Sequence, residues 1–235
     1  MTDILSKGLE KLNFETDLIP ILSEKMEKYV DEICLYNSAY NLVNTSDRKE
    51  IIVRHILDSL SAASEIQRIA DDLRSRGIPD ITIADIGSGA GFPGIPLAAA
   101  FPAYKFVLVE RMSKRCAFLE NCAIMLHLEN VKVLPAEVEK IPPKSFHIAV
   151  FRAFRPLTGQ MMKTLLSVIV PGGTIAAYKA KKNKIKDEMD TLSGIVKKYT
   201  TVPLTVPFLT ESDAKEDLYE RNLVIIPKQE NVPIE

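Results

Sequence analysis

Apolar positions along the chain change period once, near residue 77, and that change organises the reading. Before it, Leu18, Leu22, Met26, Tyr29 and Ile33 recur at helical spacing and predict one amphipathic helix. Ile52, Ile56, Leu60 and Ala63 predict a second, continuing through Ile66 to Leu73, with a polar, Asn-rich loop from Tyr36 to Asp47 between the two. Gly77-Ile78-Pro79-Asp80 punctuates the chain. After it, short β-branched runs at 81–86, 105–110, 131–134, 146–151 and 174–179 alternate with helical patterns at 93–101, 113–128, 158–169 and 183–198. Such alternation predicts an α/β fold, a mostly parallel sheet with helices on both faces. Thr200 to Leu209 and Leu218 to Pro227, joined by a charged loop, predict a closing antiparallel hairpin at one sheet edge. The expected division is therefore a helical segment, 1–76, ahead of a sheet domain, 77–235.

Bulk numbers narrow the class. A chain of 235 residues, 46% hydrophobic and 26% charged, has ample core for one α/β domain with an appendage. No apolar run approaches a membrane span and the first residues carry no signal-peptide pattern, so a cytoplasmic protein is expected. Cys34, Cys116 and Cys122 lack CxxC spacing, which points to reduced thiols and no metal. A net charge of −1 argues against a generic nucleic-acid coat while leaving room for a local basic face.

Chemistry concentrates in Ala84-Asp85-Ile86-Gly87-Ser88-Gly89-Ala90-Gly91-Phe92-Pro93, a strand end, a glycine-rich turn and a helix start. Gly87, Gly89 and Gly91 permit positive φ and clear side-chain bulk from a ligand. The order G-x-G-x-G is not the dinucleotide G-x-G-x-x-G, and no Lys-Ser or Lys-Thr follows to make a P-loop. Asp85 would repel a pyrophosphate but favours a ligand bearing ammonium and sulfonium groups. S-adenosylmethionine has both, and is the cofactor expected here; the blander reading makes Asp85 a helix cap. Glu110 ends the next strand, placed to accept hydrogen bonds from both ribose hydroxyls. The fold class is then that of class I S-adenosylmethionine-dependent methyltransferases, a Rossmann-like sheet.

Other groups are more evenly poised. The turn Ala136 to Lys140 suits an adenine edge or a solvated acidic loop equally. Phe151-Arg152-Ala153-Phe154-Arg155 ends the fourth strand, where two arginines and two phenylalanines suit a base and its phosphates. On the second helix, Arg54 with Asp58 and His55 with Ser59 stand at i,i+4, read as an internal ion pair and a satisfied, half-buried histidine. Lys179, Lys181, Lys182, Lys184 and Lys186 cluster on the ligand rim with Arg111, Lys114 and Arg115, a solvated face or an RNA-facing one.

These features together resemble the RsmG (GidB) family, bacterial methyltransferases of small-subunit ribosomal RNA that modify guanine at N7. The resemblance runs from about Tyr40 to Lys228. It rests on Asn41-Leu42, Arg54-His55-x-x-Asp58-Ser59, the G-F-P-G-I-P-L continuation of the glycine turn, Lys114-Arg115, Leu128-Glu129-Asn130, Arg152-Ala153, Tyr178-Lys179 and Arg221-Asn222-Leu223-Val224. It implies cofactor contacts at Gly87, Phe92, Val138, Glu139 and Arg152, beside Asp85, Gly89 and Glu110. It also turns Arg54, His55 and Arg221, with Arg155 and Lys179, into candidates for the RNA face. Two departures stand out: Glu110 replaces the commoner Asp, and lysines replace the glycine after Tyr178-Lys179.

The resemblance implies methyl transfer from S-adenosylmethionine to N7 of a guanine in 16S ribosomal RNA, free or in the small subunit, by a monomer. N7 carries an accessible lone pair, so no general base is needed and none is evident; Arg152 and Asp85 are expected to position and stabilise. Rival readings are a class I methyltransferase of small molecules or proteins and a non-catalytic RNA-associated module that merely binds the cofactor.

Overall fold

A computed structural model describes residues 2–210 and 219–229; part of the charged loop expected between the last two β-rich runs lies outside them. Helices come first: α1 (Thr2–Lys11), α2 (Leu18–Tyr40), α3 (Arg48–Ile51), α4 (Asp58–Leu60) and α5 (Ala63–Ser75), with a wide π-helical turn, Ile52–Leu57, joining α3 to α4. The apolar spacing predicted neither α1 nor that turn. Helix α2 also overruns its expected end, because Tyr36 packs edge-on against Phe118 with ring centroids 5.8 Å apart. It stops at Asn41, which takes the left-handed conformation (φ 48°) common at helix ends. The Asn37 carboxamide then shapes the loop, accepting from the Leu42 and Val43 amides, each at 2.9 Å. Asp47 opens α3 by accepting from the Glu50 amide at 2.7 Å.

Strands and helices then alternate as expected: β1 (Thr82–Ile86), α6 (Gly94–Ala100), β2 (Lys105–Glu110), α7 (Ser113–Met125), β3 (Val131–Pro135), a 3-10 turn at Val138–Lys140, β4 (Phe146–Arg152), α8 (Gly159–Val168), β5 (Ile169–Lys179), α9 (Lys182–Thr191), β6 (Thr200–Pro203) and β7 (Asn222–Pro227). The sheet order is β3-β2-β1-β4-β5-β7-β6. Strands β1 to β5 run parallel, while β7 is antiparallel to both β5 and β6. β5 starts five residues earlier than its apolar run (174 − 169), because the register shift between Phe146 and Ile148 absorbs Pro171-Gly172-Gly173 as an irregularity. α9 is shorter than expected, although Leu192 and Val196 beyond its end are still buried.

Alternation along the strands decides which face each residue serves. Ile83, Leu108, Val150 and Ala176 face α2, the π turn and α5, sharing one core with Leu22, Met26, Tyr29, Ile56 and Ile66. Ala84, Val109, Phe151 and Ala177 face the other way, against Met162 and Leu165 of α8. Asp85, Glu110, Arg152 and Tyr178 continue the first set at the carboxyl ends of four strands. The period of two thus brings four polar-tipped side chains to one end of one face, around the β1–β4 junction where strand order reverses, the usual ligand crevice of such sheets.

Candidate active site

The glycine turn leaves β1 clasped to β2: the Gly87 and Ser88 amides both donate to Val109 O, at 2.8 and 3.0 Å. Gly87, Gly89 and Gly91 all have positive φ, 72°, 59° and 95°. Their roles differ, which refines the expectation that all three clear room for a ligand. A Cβ on Gly89 would meet nothing nearer than Gly87 O at 3.9 Å, whereas one on Gly91 would strike Tyr29 Oη at 2.6 Å and Leu119 at 2.9 Å. Gly91 is required by the core, whereas Gly89 is favoured by its positive φ and faces open space. Over Gly87 lies the ring of Phe154, 2.6 Å from where a Cβ would stand.

Glu110 is buried, 5% exposed, with Oε2 accepting from the Gly89 amide at 3.0 Å and Oε1 from the Met112 amide at 2.8 Å. Each carboxylate oxygen keeps a lone pair, so the pair can still accept from a diol. The Ala136 amide donates to Glu110 O at 3.1 Å, which sets the 136–139 turn beside it. Val138 is buried there, and Glu139 pairs with Arg155 at 2.7 Å. Asp85 lies beneath the turn with no exposed surface. Its Oδ2 accepts from the Gly94 amide at 2.9 Å, the capping bond of the blander reading, and its Oδ1 has no partner. Burial pushes this carboxyl up to about 7, against the pull of the Gly94 amide and the Arg152 charge. An open glycine turn, a carboxyl at Glu110 with lone pairs left for a diol and a buried carboxyl at Asp85 with a spare oxygen fit S-adenosylmethionine.

Next to this cradle, Arg152 joins the sheet to the helical segment. Its Nη1 donates to Asp58 Oδ2 at 2.8 Å and to Arg54 O at 3.0 Å, and its Nη2 meets His55 Nδ1 at 2.9 Å. The guanidinium also lies over the Phe92 ring, 5.2 Å from its centroid, and His55 stacks on the same ring at 5.1 Å. Burial and the charges of Arg152 and Arg54 lower the His55 pKa to about 4, so the ring is neutral at pH 7. A guanidinium only donates, so Nδ1 accepts and the proton sits on Nε2. Arg221 Nε approaches Asp58 Oδ1 at 3.5 Å, and Tyr178 Oη donates to Ser59 O at 2.6 Å.

Arg54 corrects an expectation. It pairs back along the helix with Glu50 at 3.2 Å and lies over the Tyr219 ring, leaving Asp58 to Arg152. The wide π turn sets this facing. His55 is the half-buried, satisfied residue that its spacing suggested, but its partner comes from β4. Lys179 is held by Glu188 at 2.8 Å, whereas Lys181, Lys182, Lys184 and Lys186 are exposed on α9 and its approach. The sequence offers Asp58 only as the ion-pair partner of Arg54, and Tyr178 only as part of a shared segment; neither is a candidate site residue there, and the two shared segments around them are the available signal. Among the described residues no group of His, Cys, Asp or Glu side chains gathers to hold a metal, and no helix is long and apolar enough to cross a membrane.

The family model described as GidB, rRNA small subunit methyltransferase G, matches residues 22–223. A protein of Treponema denticola named ribosomal RNA small subunit methyltransferase G is 37% identical over 246 residues, covering 96% of this chain and 94% of that protein. One of the same name from Borrelia turicatae is 32% identical, covering 87% of this chain and 90% of its own. Among solved structures, a putative S-adenosyl-L-methionine-dependent methyltransferase of Methanococcus maripaludis superposes with a TM-score of 0.59 at 13% identity, covering 88% of this chain and 95% of that one. The 4+2 cyclase SpnF superposes at 0.51 with 12% identity, over 70% and 81% of the two chains. The two structures share the fold, and the second carries a name outside methyl transfer, so fold alone does not give the reaction.

Proposed function

The chain belongs to the rRNA small subunit methyltransferase G family, and from that premise we propose that it moves a methyl group from S-adenosylmethionine to N7 of a guanine in small-subunit ribosomal RNA. The observation that carries the proposal is Glu110, a buried carboxylate tied to the Gly89 turn with hydroxyl-accepting capacity left over. The Gly87–Gly89 backbone, Asp85, Phe92, the Val138–Glu139 turn and Arg152 complete the surroundings. When bound, the cofactor supplies an electrophilic methyl on a positively charged sulfur.

What remains for the chain is positioning. A guanine N7 has no proton to lose, and the titratable groups beside the cradle are engaged: His55 Nδ1 by Arg152, Asp58 Oδ2 by the same guanidinium. Fixing nucleophile and electrophile in line contributes up to ~7–11 kcal/mol of barrier lowering without any proton transfer. Arg152 serves here as a clamp, since its bonds run to the protein and hold the helical wall against β4. The exposed lysines of α9, with Arg155 and Arg54 on the same rim, supply phosphate contacts. On this reading the enzyme works in the cytoplasm, where its ribosomal substrate is.

The test is to incubate purified protein with methyl-labelled cofactor and either small ribosomal subunits or deproteinised RNA, then map the labelled base. N7-methylguanine at one position is the expected product. Label on a small molecule or protein instead, or cofactor binding with no transfer to either RNA, overturns the proposal.

A further inference from the structure

The contacts of Arg155 tie together two walls of the cofactor cradle. Its guanidinium meets Glu139 as a fork, Nη1 donating to Oε1 at 2.7 Å and Nη2 to Oε2 at 3.3 Å. The same group lies over the ring of Phe154, 5.3 Å from its centroid. That ring in turn covers Gly87, with two of its carbons 2.6 and 2.9 Å from where a Cβ would stand. A chain of contacts thus runs from the Val138–Glu139 turn, through Arg155 and Phe154, to the first glycine after β1.

The backbone by itself does not favour this arrangement. Ala153, just after β4, has φ 49°, in the left-handed region that residues with a Cβ seldom take. Phe151 and Leu157 are buried on the α8 side and anchor the two ends of the segment. Between them Phe154 is half-buried, its ring 5.7 Å from that of Phe151, while Arg155 and Pro156 are exposed. The pair with Glu139 is therefore the restraint on the outer side of the ring. With its side chains 47% and 39% exposed, that pair adds little to folding stability, so its effect is on where the ring stands. A planar guanidinium suits the task, since it can engage both carboxylate oxygens and stack on a ring.

We propose that Arg155 is a positioning residue for methyl transfer: braced on Glu139, it holds Phe154 against Gly87, at the seam between the cofactor cradle and the cavity beside it. The inference rests on the methyl-transfer reading above. Phe154 itself marks the seam, because it lies on the glycine turn and also lines a cavity of about 520 Å³ between the helical wall and the ends of β4 and β5. Cofactor and nucleophile meet there. An apolar ring fixed in that place narrows their approach to one line and keeps water out. A misplacement of about 1 Å is enough to cost up to ~100-fold in rate, so a loosened ring lowers turnover without any lost contact to the RNA backbone.

The experiment is a double-mutant cycle on kcat, with whichever of the small subunit or its deproteinised RNA the wild-type protein methylates. Arg155→Ala and Phe154→Ala are each expected to lose roughly 10-fold in kcat, with KM for RNA little changed. The double variant is expected to lose no more than Phe154→Ala alone. Arg155→Lys should stay close to Arg155→Ala, because an ammonium keeps the charge without the fork. A phosphate contact alone would instead raise KM for RNA, add to the Phe154 loss and survive in Arg155→Lys; that pattern overturns the proposal. A second readout needs no turnover. In protein labelled with 4-fluorophenylalanine, the Phe154 fluorine resonance is the one missing from Phe154→Leu, and Arg155→Ala is expected to shift and sharpen it. An unmoved resonance also overturns the proposal. If the wild-type protein transfers no methyl to RNA, the function proposed above fails, while the fluorine spectrum still decides whether Arg155 holds the ring.

Discussion

A buried carboxyl and a half-buried imidazole at the site pull stability in opposite directions between pH 4 and 7. The Asp85 carboxyl, pushed up by burial to about 7, holds its proton in the folded state where the unfolded chain has lost it. Its contribution therefore falls as pH rises from about 4 to 7. His55, pushed down to about 4 by burial and two guanidiniums, is neutral in the folded state where the unfolded chain binds a proton. Its contribution rises with pH from about 4 to 6.5. Each is worth on the order of 3 kcal/mol across its window. Urea unfolding at a series of pH values is expected to show the difference: His55→Gln steepens the decline toward pH 7, and Asp85→Asn steepens the rise. Identical pH profiles for both variants would refute the assignment. Both residues drew notice in the sequence, as did Glu110 and Arg152, because strand ends and short motifs announce themselves locally. Asp58 did not announce its partner, since Arg152 is 94 residues away and i,i+4 spacing offered Arg54 instead.

Spacing at four, four and three residues through Ile52, Ile56, Leu60 and Ala63 marks a buried stripe but cannot separate an α-helix from one with a π turn, because one extra residue per turn leaves the stripe nearly aligned. Yet that turn decides where Arg54 and His55 face. Its support comes from α1, also missed, whose ten residues hide only two fully buried leucines, Leu5 and Leu9. A Cβ on Gly8 of α1 would stand 2.6 Å from a methyl of Leu57 at the end of the π turn. Gly8→Leu is expected to wedge the two apart, costing about 1–3 kcal/mol in thermal or urea unfolding and slowing methyl transfer more than it weakens cofactor binding. Gly194→Ala, with nothing within 4 Å, is the matched control and should be neutral to within about 1 kcal/mol. Equal losses in the two variants would show that α1 does not brace the site.

At the scale of the molecule, the change of apolar period near residue 77 suggested an appendage and a domain, while packing runs across that boundary. Tyr29 of α2 donates to Ala90 O inside the glycine turn and its ring lies 5.3 Å from Phe92. Tyr178 of β5 reaches back to Ser59 O, and Arg152 of β4 to Asp58 and Arg54 O. Apolar side chains of α2 and α5 share one cluster with β1, β2 and β4. No local pattern encodes such contacts, and the hydrogen bonds among them join residues 61 or more positions apart. The consequence is cooperative unfolding. Hydrogen exchange followed by mass spectrometry is expected to give the amides of α2 and β1 one common opening free energy, and urea a single transition by tyrosine near-ultraviolet dichroism. Residues 77–235 expressed alone should then leave Ile83, Leu108 and Ala98 uncovered and fail to bind cofactor. If that fragment instead folds and binds S-adenosylmethionine with full-length affinity, the helical wall is an attachment and the contacts of Tyr29, Arg152 and Tyr178 across the boundary do not hold the cradle in shape.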